Sequence, residues 1–189
     1  MVKIAFTPHR PSSSPLKEAG VITNLLEDEV DFVHLRHPDA DTDLLRSILE
    51  EIRPDLRQRI TLHDHYDLAF LHLAGGIQLN SRNGITDVMV HKDSEIRISK
   101  SCHTIEEIME AGESGRLAYA TLSPIFDSIS KAGYSSNFNS DELSEFLGDC
   151  RLPVIALGGV TPEKLPMINE LGFAGAAMLG HYMPLFEHA

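Results

Sequence analysis

The sequence predicts an α/β fold of eight strand-and-helix units, the (β/α)8 TIM-barrel class. Three observations carry this: short apolar runs recur from end to end, amphipathic stretches separate most of them, and polar residues gather where the runs stop. The runs fall at residues 3–6, 32–35, 60–62, 76–79, 96–98, 117–121, 154–157 and 174–178, which gives the eight expected strands. The clearest helix is 43–52, where Leu44, Leu45, Ile48 and Ile52 repeat at three- and four-residue spacing with charged residues between them. Further helices are expected at 15–26, 66–73, 104–111, 141–147 and 162–171. Ser12-Ser13-Ser14, Thr104 and Thr161 stand as their polar starters, and Pro162 suits a first helical turn. The weakest unit is 83–95, and the tail after Gly180 leaves room for a turn or two of helix. At 189 residues the chain is short for a barrel of this kind, which takes roughly 250, so some helices must be stunted. A single domain over residues 1–189 is expected, with no linker and no low-complexity segment.

Periodicity alone does not separate a closed barrel from an open doubly wound sheet. The sequence lacks the Gly-x-Gly-x-x-Gly string that would favour the open dinucleotide-binding version. Composition removes other classes. A formal net charge of −12, from 28 acidic and 16 basic residues, repels nucleic acid and acidic lipid surfaces. A small anion is still admissible, because a few aimed amides and cations outweigh a screened diffuse field. The two cysteines, Cys102 and Cys150, have no metal-ligand spacing and are expected to be reduced thiols. The opening residues turn to Pro8-His9-Arg10 before an apolar signal core forms, and no run reaches membrane-spanning length, so a cytoplasmic protein is expected.

In a parallel barrel the carboxyl ends of the strands build the site. Here they read His34-Leu35-Arg36-His37 after the second run, His63-Asp64-His65 after the third, and Ser99-Lys100-Ser101-Cys102-His103 after the fifth. The seventh run ends in Gly158-Gly159-Val160-Thr161-Pro162 and the eighth in Leu179-Gly180. Two glycines let bare backbone N–H groups approach an anion, and phosphate-binding barrels commonly hold that group after strands 7 and 8; the same pair would also serve a tight turn without ligand. After the sixth run, Ser128, Ser130 and Lys131 set hydroxyls on alternate residues beside a cation, as a ligand-wrapping lid or as a solvated loop.

These strings resemble the thiamine phosphate synthase and TenI family over most of the chain. Tyr119 followed by Ser123-Pro124-Ile125-Phe126 and Ser128-Ile129-Ser130-Lys131 is similar to that family's Tyr-x-x-x-Gly-Pro-Ile-Phe-x-Thr-x-Thr-Lys. The stretch from Pro153 to Pro162 matches its strand 7 signature almost letter for letter, and Gly75-Gly76-Ile77-Gln78 and Ser101-Cys102-His103-Thr104 are weaker echoes. The resemblance implies the barrel, and a transferase that joins hydroxymethylpyrimidine pyrophosphate to a thiazole phosphate with Mg²⁺, releasing pyrophosphate. It also implies a homodimer or other small homo-oligomer. It casts Arg36, Ser101 and Lys131 as catalytic. His34, His63, Ser128, Ser130, Gly158, Gly159, Leu179 and Gly180 become substrate-binding, and Asp64 and Asn83 the metal positions.

The departures from the family pattern are uneven. Pro38 stands where the family has a lysine, His34 for a glutamine, His63 for an asparagine, and Asn83 for a second metal-binding carboxylate. The thiazole-phosphate side keeps its letters except Gly180, which replaces a serine. Two alternatives follow. One is a TenI-like non-synthase, either a tautomerase or a regulatory ligand binder; the tautomerase histidine position is Pro124 here, leaving His103 or His63 as substitute bases. The other is a zinc-dependent barrel hydrolase using His63 and His65, suggested by His-x-His spacing in a chain with ten histidines.

Overall fold

The computed structural model describes residues 1–71, 73–80, 95–126 and 138–187. Eight strands close a barrel in chain order: β1 (Val2–Phe6), β2 (Phe32–Leu35), β3 (Ile60–Leu62), β4 (Gly76–Leu79), β5 (Arg97–Cys102), β6 (Tyr119–Leu122), β7 (Val154–Ala156) and β8 (Gly175–Met178). Every neighbouring pair is parallel, and β1 closes on β8 through Val2 opposite Gly175 and Ile4 opposite Ala177. That choice between barrel and open sheet, undecidable from periodicity, is settled by the β1–β8 ladder.

The helices are α1 (Pro15–Asp28), α2 (Thr42–Glu51), α3 (Pro54–Arg57), α4 (Asp67–Phe70), α5 (Ile105–Glu113), α6 (Ser140–Asp149), α7 (Leu165–Glu170) and α8 (Met183–Glu187). Ser14 caps α1 by accepting the Lys17 N–H at 3.4 Å, and Thr104 caps α5 through the Glu107 N–H at 3.2 Å. Thr161 makes no side-chain cap. The expected helix 162–171 is instead a 3₁₀ turn, Pro162–Lys164, followed by α7. Pro166 has no N–H to continue one helix across both pieces. The expected helix 66–73 is stunted to α4, and the 83–95 unit lies mostly outside the described residues.

Alternation along each strand divides the core in two. Val33, Leu35, Ile60, Leu62, Ile77, Leu79, Leu122, Val154 and Met178 join the helices in the larger apolar cluster, whereas Ile4, Phe6, Tyr119, Ile155 and Ala177 fill the barrel itself. The interior is lopsided. Its apolar side belongs mainly to β1, β7 and β8, while His34, Thr61, Gln78, Ser99 and Thr121 bury polar groups from β2 to β6. Polar interior residues also explain why β5 runs to Cys102 rather than stopping at Ile98: Ser99 is buried with its hydroxyl oxygen 3.1 Å from the Ile77 carbonyl.

Small residues close the seam. A Cβ on Gly175 would stand 2.7 Å from Ile155 Cδ1 and 2.9 Å from Val2 Cβ. On the outside, Ile48 of α2 has no exposed surface. Ile48→Ala is expected to cost about 3 kcal/mol, read as a lowered urea midpoint, because a packed layer only partly collapses into the vacated volume. Cys102 and Cys150 are free thiols, and burial pushes the Cys102 thiol up to about 11, which keeps it protonated and unreactive. Among the described residues no helix is long and apolar enough to cross a membrane.

Candidate functional site

The turn after β7 is built around positive backbone angles, φ 90° at Gly158 and φ 62° at Gly159. It packs on the turn after β6: the Ile125 N–H donates to the Leu157 carbonyl at 2.9 Å and the Phe126 N–H to the Gly158 carbonyl at 3.1 Å. Lys164 reaches back, its Nζ 2.6 Å from the Gly159 carbonyl and 4.4 Å over the Phe126 ring. Among the described residues the N–H groups of Gly158, Gly159 and Gly180 have no protein acceptor. Leu179 is half-buried beside them, and its carbonyl accepts the N–H groups of Tyr182 and Met183 at 3.2 and 3.0 Å. Amides that a double-glycine turn leaves without an acceptor can take an anion. Lys164 was not singled out in the sequence, although it lies in the string that carries the glycines.

Across the mouth, Arg36 follows β2. Its N–H donates to the Thr7 hydroxyl at 2.9 Å, and among the described residues its guanidinium has no hydrogen-bond or ion-pair partner. Next to it, His37 meets Glu18 of α1 at 2.6 Å, with no exposed side-chain surface on either. Glu18 was also missed. The signal for it was present: Glu18, Ile22 and Leu25 follow at four- and three-residue spacing, which sets the acid on the buried stripe of α1.

Deeper in the barrel, His34 has no exposed surface. Its Nδ1 lies 3.0 Å from His63 Nε2 and its Nε2 lies 2.6 Å from the Tyr119 hydroxyl, while Phe6 stacks on its ring at 4.6 Å. Burial, then the charges of His63 and Arg97, hold its pKa well below 6.5, so His34 is a neutral ring that donates one bond and accepts the other. Beside this trio, Gln78 donates to the hydroxyls of Ser101 at 2.9 Å and Thr121 at 3.2 Å, and its carbonyl oxygen takes the Ser99 hydroxyl. Ser101 is thus held in place by a neighbour that sequence reasoning had not assigned to the site.

The zinc reading requires a correction. His65 has φ 52°, donates through Nε2 to the Ala40 carbonyl at 3.0 Å, and accepts the Thr42 hydroxyl on Nδ1 at 2.8 Å. Both of its nitrogens brace a loop, and His63 Nε2 faces His34. Among the described residues no three His, Cys, Asp or Glu side chains gather to hold a metal ion. The other rim histidines are scattered: His9 stands 3.6 Å from Asp39, His103 Nδ1 lies 2.9 Å from the Ser123 carbonyl, and His181 packs on Tyr182. Asp64 follows β3 and is half-buried. Asn83, Ser128, Ser130 and Lys131 lie outside the described residues.

The sequence profile of the thiamine monophosphate synthase family matches residues 6–181, nearly the whole barrel. The chain belongs to that family. Within it, the chain is 31% identical over 117 residues to the thiamine-phosphate synthase of Lactiplantibacillus plantarum, covering 61% of this chain and 54% of that protein. It thus spans about half the length of that relative. The thiamine-phosphate synthase of Caldivirga maquilingensis is 29% identical over 157 residues, 82% of this chain and 76% of its own length. Among solved structures, the thiamine phosphate pyrophosphorylase of Bacteroides thetaiotaomicron superposes with a TM-score of 0.78 at 28% identity, covering 100% of this chain and 93% of that one. Thiamine monophosphate synthase relatives therefore share both the sequence pattern and the closed barrel.

Proposed function

We propose that this chain is a thiamine-phosphate synthase that holds a thiazole phosphate at the β7 and β8 ends and joins it to hydroxymethylpyrimidine pyrophosphate. The observation that carries the reading is the pairing of two anion-ready features on one rim: the amides of Gly158 and Gly159 and the guanidinium of Arg36, all of them without a partner among the described residues. In the reaction the bond from the pyrimidine methylene to the diphosphate oxygen breaks, the leaving group keeps the electron pair, and the thiazole nitrogen forms the new C–N bond. Arg36 pairs with the diphosphate as its negative charge grows, and Ser101, oriented by Gln78, adds a hydroxyl donor. Ser128, Ser130 and Lys131, outside the described residues, are assigned to the phosphate on the resemblance alone.

Asp64 supplies one hard oxygen donor, which fits Mg²⁺ in its usual mode of one or two carboxylates completed by water and substrate phosphate. When bound there, Mg²⁺ offsets charge on the diphosphate. His34 and His63 form a buried polar floor that shields the reaction from bulk water.

The test supplies both substrates with Mg²⁺ and measures thiamine phosphate. Formation of product is expected, with Arg36→Ala lowering kcat/KM by about 100-fold through loss of a charged contact at the leaving group. Tight binding of thiazole phosphate with no product would assign the chain instead to the non-synthase ligand binders.

A further inference from the structure

Glu18 and His37 are ionisable, mutually bonded and wholly buried, yet neither lines the anion sites. A buried polar pair is poor evidence of stabilisation, since apolar residues of similar volume commonly pack as well or better. What the pair does achieve is geometric. One carboxylate oxygen of Glu18 takes His37 Nε2 at 2.6 Å and the other accepts the Ser12 N–H at 2.7 Å, so a single side chain ties the loop after β1 to the loop after β2. The same loop is fastened on both sides of the pair. Thr7 takes the Arg36 N–H at 2.9 Å, the Ala40 N–H donates to the His37 carbonyl at 3.0 Å, and His65 holds the Ala40 carbonyl at 3.0 Å. The main chain around Arg36 is thus anchored by β1, α1 and the loop after β3, while its guanidinium is uncommitted among the described residues.

We propose that Glu18 and His37 are positioning residues, a buried clasp that presents Arg36 to a diphosphate group in a preset orientation. The proposal rests on the synthase reading, which makes the Arg36 side of the rim the diphosphate pocket. The clasp is buried behind Arg36, and among the described residues it leaves the guanidinium donors to the anion. Among the described residues His37 Nδ1 has no hydrogen-bond partner, so there the ring's one hydrogen bond is that to Glu18. A replacement that keeps a donor at that point should keep the function.

The experiment measures calorimetric affinities of the intact chain for inorganic pyrophosphate and, separately, for thiazole phosphate. His37→Leu is expected to weaken pyrophosphate binding by about tenfold or more, because a small displacement of a charged contact costs much of its worth. Thiazole phosphate, bound across the mouth, should keep its affinity within about twofold. His37→Gln, whose amide can donate to Glu18, should hold pyrophosphate within about threefold of the native chain. If His37→Leu does not fold, His37→Asn replaces it, being polar but too short to reach Glu18. Native pyrophosphate affinity in the leucine or asparagine variant would overturn the clasp, as would equal loss of both ligands in all variants, the mark of a merely structural role. A native chain that binds thiazole phosphate but no pyrophosphate would instead overturn the diphosphate pocket itself, and the clasp with it.

Discussion

Gly158→Val is expected to lower folding stability by about 3 kcal/mol and to abolish measurable binding of inorganic phosphate. Two costs act together. The native φ of 90° belongs to a region that β-branched residues scarcely enter, and a Cβ there would stand 2.8 Å from Pro124 Cα and 2.9 Å from Pro124 Cβ. Neither neighbour is the free end of a flexible side chain, so relief means prising the turn after β7 from the turn after β6. That separation breaks the Phe126 to Gly158 and Ile125 to Leu157 bonds and scatters the amides offered to an anion. Gly180→Ala is the matched control: nothing lies within 4 Å of its Cβ, and a stability change within about 0.5 kcal/mol is expected. Urea denaturation and phosphate titration on both variants give the answer. Native stability and native phosphate affinity in Gly158→Val would defeat the placement of the anion site.

Acid should unfold this protein earlier than its surface charges alone would dictate, and His34 is the reason. Desolvation first, then His63 and Arg97, depress its folded pKa well below the ordinary 6.5 that it regains on unfolding. Between those two values the unfolded chain binds the extra proton and the native chain does not, so stability rises with pH across that window. The contribution is complete above 6.5 and is lost as pH falls toward the depressed native value, at up to about 1.4 kcal/mol per pH unit. Urea midpoints taken from about pH 7.5 down to about pH 5 should therefore fall more steeply for the native chain than for His34→Gln. Parallel profiles would show that His34 does not titrate on unfolding.

How far the sequence could be read depended on whether the local pattern matched the local physics. The eight strands were legible because each buries one face against helices, giving apolar runs such as Val154 to Ala156 and Gly76 to Leu79. The diglycine turn was legible because glycines directly after a strand have few other uses. His63-x-His65 misled because the two would share a face only if the strand continued; β3 ends at Leu62, and the left-handed backbone at His65 turns its ring to the Ala40 carbonyl. His34 reads as a substrate-binding residue in one dimension, and the string does not show that the alternation of β2 points it into the barrel, where its nitrogens meet His63 and Tyr119. Glu18 could be placed on a buried stripe, yet nothing in the string names His37, nineteen residues later, as its partner. Such pairings across loops depend on three-dimensional closure, which no local window contains.

Closure also sets the order in which this molecule can come into being. The free edge of β1 is satisfied only by β8, whose small residues, Gly175-Ala176-Ala177, fit a seam too tight for larger side chains. Within the barrel, β1 must therefore wait for β8, and until residues 175–178 emerge the nascent barrel carries two unpaired strand edges in solution. The barrel is shut from its carboxyl end, so the interval before that strand arrives is when the growing chain is most exposed to pairing with a neighbour, and when a chaperone would have most to protect.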